Sequence, residues 1–209
     1  LDDTIAWSYE LLPAPSRHLF DRFSVFASGA ALPEIELVCG DSLDSDVFDA
    51  LDTLVEHSLI RSLPQRGQPR FRMLETIRHF AHRQLVARGE AALLAERHAR
   101  VYAAVAAAAE PHLTGSERMT WLDRLSDDHD NLLLAVTWAA ANQETDMAFE
   151  MAAALWRFFH MRGHLFSAQE LLEDLLAMSG GSAASRVRAL DPAGGVAYWS
   201  GDMARARRR

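Results

Sequence analysis

Leu59-Ile60-Arg61-Ser62-Leu63 reads as a strand, Pro64-Gln65-Arg66-Gly67-Gln68-Pro69 as turn chemistry, and Arg70-Phe71-Arg72-Met73 alternates with period two. Together they predict one β-hairpin in a chain whose apolar residues otherwise recur at helical spacing. Upstream, Asp2 or Asp3 caps a helix from about Thr4 to Leu12 that Pro13 stops. Ser16 to Phe26 makes a second helix, with Leu19, Phe20, Phe23 and Phe26 near helical spacing, and Ser28-Gly29 breaks it. Pro33 suits the first turn of a short third helix ending at Cys39-Gly40. A fourth starts at Ser45 or Asp46 and carries the stripe Val47, Leu51, Leu54 and Val55. After the hairpin a helix resumes near Glu75, with Ile77, Phe80, Ala81 and Leu85 on one side, and Gly89 ends it. Helices followed by a hairpin predict a winged-helix-like unit over residues 1–89.

From Glu90 onward the chain reads as helices joined by short links, which predicts antiparallel neighbours. The expected helices are Glu90–Glu110, a segment capped by Ser116 that runs to Leu125, Asp128–Asn142, Thr145–Arg162, Leu165–Met178 and Ala183–Ser200, with Ser179-Gly180-Gly181-Ser182 as a turn. Residues 159–168 align with residues 197–206 at an offset of 38, each an apolar helix end, a glycine and an alanine five residues later. Gly194 sits seven residues before Gly201, at the small packing position of a tetratricopeptide repeat. The expected fold is therefore mainly α: a winged-helix-like unit with one β-hairpin, followed over 90–209 by a helical arm and incomplete tetratricopeptide-like repeats.

The 209 residues are 49% hydrophobic and 24% charged, enough to bury a core. No stretch approaches the roughly 20 apolar residues of a membrane span, and no signal peptide opens the chain. One cysteine, Cys39, excludes an internal disulfide and a thiolate zinc cluster. A cytoplasmic location is expected. Both ends read as truncated, because Leu1 opens the chain and Arg207-Arg208-Arg209 follow an unfinished repeat.

All 21 basic residues are arginine, so no lysine is present to hold a phosphate or form a Schiff base. The net charge of −8 is uneven: residues 1–57 sum to −10, residues 58–88 to +6 and residues 89–209 to −4. An acidic whole argues against general nucleic-acid affinity, so the basic island is the part that needs a partner. Arg61, Arg66, Arg70 and Arg72 cluster on the expected wing, with Arg78 and Arg83 on the following helix. A wing that touches DNA phosphate has this composition. The helix before the wing, which would read bases, instead carries Asp46, Asp49, Asp52 and Glu56. The arginines therefore fit docking onto an acidic protein surface better, with DNA contact through the wing as the alternative.

Other chemistry is weaker. Glu75, His79 and His82 lie at i, i+4 and i+7, but a metal needs a fourth group, and i,i+4 pairing on a polar face explains the spacing. Asp127, Asp128, His129 and Asp130 sit at a helix start, where acids favour the dipole. Cys39, in the apolar Ile35-Glu36-Leu37-Val38-Cys39, fits a buried inert thiol. Trp156, Phe158, Phe159, Tyr198 and Trp199 fit an interhelix core. No G-x-S-x-G elbow is present, so a hydrolase serine is unsupported, and the chain reads as non-catalytic.

Thr4-Ile5-Ala6-Trp7-Ser8-Tyr9-Glu10-Leu11-Leu12 with Phe23-Ser24-Val25-Phe26-Ala27 resembles the start of the winged-helix region in bacterial STAND signal-transducing ATPases, including LuxR-like and AfsR-like transcription factors. Leu51 to Ile60, Met73 to Ala81, Trp121-Leu122-Asp123-Arg124-Leu125 and His129-Asp130-Asn131-Leu132 continue the likeness. The resemblance implies an ATPase core before this segment, which is the docking partner and the holder of ATP or ADP. It further implies repeats that receive a protein or small-molecule effector, and DNA binding through another domain. No phosphate loop occurs here, and without lysine none can. Met73-Leu74-Glu75 falls where that family has a Met-His-Asp nucleotide sensor. Leu74 replaces the histidine and cannot hydrogen-bond a phosphate, so packing and helix capping are the expected roles.

Overall fold

The computed structural model describes residues 2–41, 43, 46–64 and 69–190. They fall into two compact units, one ending at Val101 and one beginning at Tyr102. The fold is mainly helical, as the sequence predicts, and the expected hairpin is part of a small three-stranded antiparallel sheet.

The first unit begins with α1 (Asp2–Glu10) and α2 (Ala14–Phe23). Pro13 takes the extended N-cap conformation of α2 (φ −55°, ψ 152°), which suits the fixed φ of proline. The second helix ends at Phe23, before Phe26, because Ser24, Val25 and Phe26 bond back three residues and tighten the last turn. The short strand β1 (Ala30–Ala31) leads directly into α3 (Leu32–Cys39), and then comes α4 (Val47–Glu56). Asp46 caps α4 by accepting from the Phe48 amide at 2.7 Å. The hairpin follows as β2 (Ile60–Leu63) and β3 (Arg70–Met73), then α5 (Glu75–Ala87). The sheet order is β1-β3-β2, with Arg61 opposite Arg72 and Ala31 opposite Arg70.

Strand β1 is the element that sequence patterning does not anticipate, since two alanines carry no alternation. Gly29 is its signal. This residue sits at φ +83°, and a Cβ there would lie 2.3 Å from the Phe71 carbonyl oxygen. Only glycine lets the chain enter the sheet so close to β3. The core beneath holds Leu19, Phe20, Phe23, Phe26, Ile35, Leu51, Leu54, Ile60 and Leu85, all nearly inaccessible. Tyr9, Phe20 and Phe80 bring α1, α2 and α5 together, with ring centroids 5.5 to 6.3 Å apart.

Helix α6 (Ala91–Ala109) ends where Glu110-Pro111 begins a 3-10 turn (Glu110–Thr114), since Pro111 has no amide to continue the ladder. The second unit then runs through α7 (Arg118–Asp127), α8 (His129–Ala141), α9 (Thr145–Arg162) and α10 (Leu165–Ala177). Residues 183–190 begin a further helix, α11. Ser116 does not cap α7; the helix opens two residues later, with Glu117 at the N-cap and no side-chain cap bond. Helix α9 has the expected bounds and ends in Gly163 at φ +81°, with the His164 amide bonded to the Phe159 carbonyl at 2.8 Å. Consecutive helices from α7 to α10 pack on one another around Leu125, Leu132, Val136, Phe149, Leu155 and Phe158. The second copy of the aligned motif, residues 197–206, lies outside the described residues, as do Gly194, Tyr198 and Trp199. No helix among the described residues is long and apolar enough to cross a membrane.

Candidate interaction surface of the winged helix

Helix α4 occupies the position before the wing. Val47, Ala50, Leu51 and Leu54 face the core, so the helical period turns Phe48, Asp49, Asp52 and Glu56 outward. Phe48 is 52% exposed. The outward face therefore presents three acids around an aromatic ring, with the capping Asp46 at its start. Like charge in that number opposes a phosphate backbone.

The wing has the opposite sign. Arg61 and Arg72 are exposed and stand directly across the β2–β3 ladder, a cross-strand like-charge pair. Directly opposed like charges destabilise a sheet by a few tenths of a kcal/mol to about 1 kcal/mol. Among the described residues neither has an ion-pair partner. This pairing is invisible in composition alone; it follows from the register.

The remaining arginines of the basic island divide. Arg70 is withdrawn from the surface. It is only 7% exposed because β1 covers β3 at that point, and its guanidinium donates to the Gly29 carbonyl at 3.0 Å. Arg78 donates to both Glu75 carboxylate oxygens at 2.6 and 2.9 Å and to the Ser24 carbonyl at 3.3 Å, so it joins α5 to the end of α2. Arg83 is exposed, with its guanidinium 5.5 Å from the Phe80 ring centre. Arg66 lies outside the described residues. The structure thus brings Arg61 and Arg72 together and leaves Arg70 and Arg78 engaged within the unit.

Met73-Leu74-Glu75 stands at the exit of β3. Met73 is buried and Leu74 is 45% exposed. Leu74 occupies the N-cap position of α5, where it offers no side-chain bond to the helix amides. Glu75 accepts from Arg78 and lies 3.0 Å from His79, and the Arg78 guanidinium holds its carboxyl below the usual range. Glu75 is thus an ion-pair partner on the first turn of α5 rather than a capping group. Cys39 is fully buried, and burial pushes its thiol far above the ordinary range.

Comparison with known proteins places this geometry. The winged helix-turn-helix domain family matches residues 12–86. The chain is 33% identical over 164 residues to a "Putative HTH-type transcriptional regulator" of Mycobacterium bovis, a match that spans 78% of this chain and 18% of that protein. A protein of the same description from Mycobacterium tuberculosis is equally similar. An "Uncharacterized protein" of Mycobacterium tuberculosis is 32% identical over 91 residues, 42% of this chain and 23% of its own length. The chain thus covers less than a fifth of the first two relatives. No solved structure matches it. Residues 12–86, which match that family's model, run in the order helix, strand, helix, helix, hairpin, helix from α2 to α5.

Proposed function

We propose that this chain is a non-catalytic, cytoplasmic regulatory segment of a STAND-type transcriptional regulator. In this reading its winged helix docks on an ATPase core and couples nucleotide state to the helical unit, where an effector or partner protein binds. The observation that carries the reading is the acidic outward face of α4. A helix used to read bases has to approach phosphates, and Asp49, Asp52 and Glu56 make that approach unfavourable. The same face, with Phe48 at its edge, suits a protein partner. The match to far longer HTH-type regulators supports a role as one segment among several.

The mechanism is conformational and electrostatic. Arg61 and Arg72 repel each other across the hairpin until an acidic surface compensates both. An ATPase core that offers such a surface in one nucleotide state and withdraws it in another would hold or release the wing. Direct DNA contact through the wing is the second reading, favoured by the winged helix-turn-helix match and by the exposed Arg61–Arg72 pair.

The test uses the ATPase core of the same regulator, produced as a separate protein and titrated calorimetrically against this chain. Arg61→Ala with Arg72→Ala should weaken association by about 0.2–1 kcal/mol per residue, so roughly two- to thirty-fold together. An unchanged affinity would remove the wing from the docking surface.

A further inference from the structure

The junction between α5 and α6 is built around a buried carboxylate. Asp21, on α2, has no accessible side-chain surface. It accepts from Arg88 Nε at 2.6 Å and from the Tyr9 hydroxyl at 3.1 Å, both on Oδ2. Its other oxygen, Oδ1, is buried and has no hydrogen-bond partner among the described residues. Such a half-satisfied charged group is costly in a core.

Its surroundings tie three helices to one elbow. Arg88 is the C-cap residue of α5, and Gly89 follows at φ +74° with open space around it. The elbow then reaches Glu90, which accepts from Arg22 Nε at 2.8 Å. Arg22 in turn donates to the Cys39 carbonyl at 2.9 Å and to the Asp41 carbonyl, and Arg97 on α6 pairs with the Asp41 carboxylate. Residues 88–90 are thus held on one side by Asp21 and on the other by Arg22, neighbours on α2.

We propose that the Asp21–Arg88 pair is an acid-sensitive latch that sets how the α5–α6 elbow is held against α2. With Asp21 ionised, Arg88 is fixed. With Asp21 protonated, the charge that holds Arg88 is gone, and the guanidinium, already 32% exposed, turns to water. The glycine at 89 then lets the elbow move without steric penalty. Burial is the largest influence on Asp21 and pushes its carboxyl up to about 6, with the nearby Glu90 charge adding to it. Arg88 and the Tyr9 hydroxyl oppose this shift without cancelling it. The charged groups facing the site are Arg88 at the end of α5, Glu90 in the elbow and Arg22 on α2; Arg17 lies behind, over the Tyr9 ring. Asp21 is the buried carboxylate whose charge holds Arg88 in place.

The test is nuclear magnetic resonance on the full chain. The Asp21 carboxyl carbon should titrate with a midpoint near 6, and Arg88 Nε–H should be seen above that midpoint and exchange with water below it. Amide protection at Gly89 and Glu90, corrected for intrinsic exchange, should fall several-fold between pH 7.5 and 5. Asp21→Asn should show the low protection at both pH values. An Asp21 midpoint in the ordinary aspartate range would overturn the latch in the unmodified protein, whatever the variant does. So would elbow protection that ignores both pH and the substitution.

Discussion

The Asp21 carboxylate has a stability consequence that can be worked from its environment. Replacement by asparagine keeps the shape and the bond from Tyr9 while removing the charge. In the folded chain burial raises the carboxyl to about 6, against 3.8 for an unperturbed group. A raised folded value means that the folded state binds the proton more tightly than the unfolded one. The group's stabilising contribution is therefore complete below pH 3.8 and is lost as pH rises through 6. At about 1.4 kcal/mol per unit, the loss across this window is on the order of 3 kcal/mol. Native-state hydrogen exchange at the core amides of α2 reports the opening of this unit. Between pH 4 and 7 the unmodified chain should lose roughly 2.4 kcal/mol relative to Asp21→Asn, with the two curves parallel above pH 7. Comparing the two chains cancels the opposing trend from Glu75, whose carboxyl is lowered by Arg78. Parallel curves throughout, or a variant that gains stability towards acid relative to the unmodified chain, would rule out a raised folded-state value for Asp21.

Three further outcomes follow from packing. Gly29→Ala combines a left-handed φ with a contact of 2.3 Å to the Phe71 carbonyl, so it should cost at least about 2 kcal/mol and broaden the β1–β3 amide resonances. Phe158 is fully buried in the second unit, and Phe158→Ala should cost roughly 3–5 kcal/mol there while leaving exchange in α2 unchanged. Cys39 should resist thiol reagents at pH 8 in the native state and react at an ordinary rate once denaturant is added, as mass spectrometry would show.

The hairpin and the helices around it were legible because their signals are local. Period-two alternation in residues 70–73, Pro33 in the first turn of α3 and Gly163 after α9 each mark an element without tertiary context. Strand β1 was not legible, because two alanines become a strand only when β3 lies beside them. The basic surface was half legible. Composition locates the arginines, but only the register sets Arg61 against Arg72, and only the cover by β1 removes Arg70. The Asp21 network left no sequence trace, since its partners come from residues 9, 21 and 88. The Arg88 signal, a cation beside the glycine that ends α5, reads equally well as ordinary helix-end chemistry.

In the proposed function the winged helix meets protein and does not read DNA. Fluorescence anisotropy of a labelled random duplex, titrated with this chain at low salt, separates the two roles. The acidic face of α4 predicts no saturable binding below about 100 μM, the weak end of ordinary non-specific affinity. Replacing Asp49, Asp52 and Glu56 by asparagine and glutamine should then create a measurable, salt-sensitive affinity. Tight binding by the unmodified chain that falls steeply with salt, and that Arg61→Ala with Arg72→Ala abolishes, would rule out a protein-only role and assign the wing to DNA.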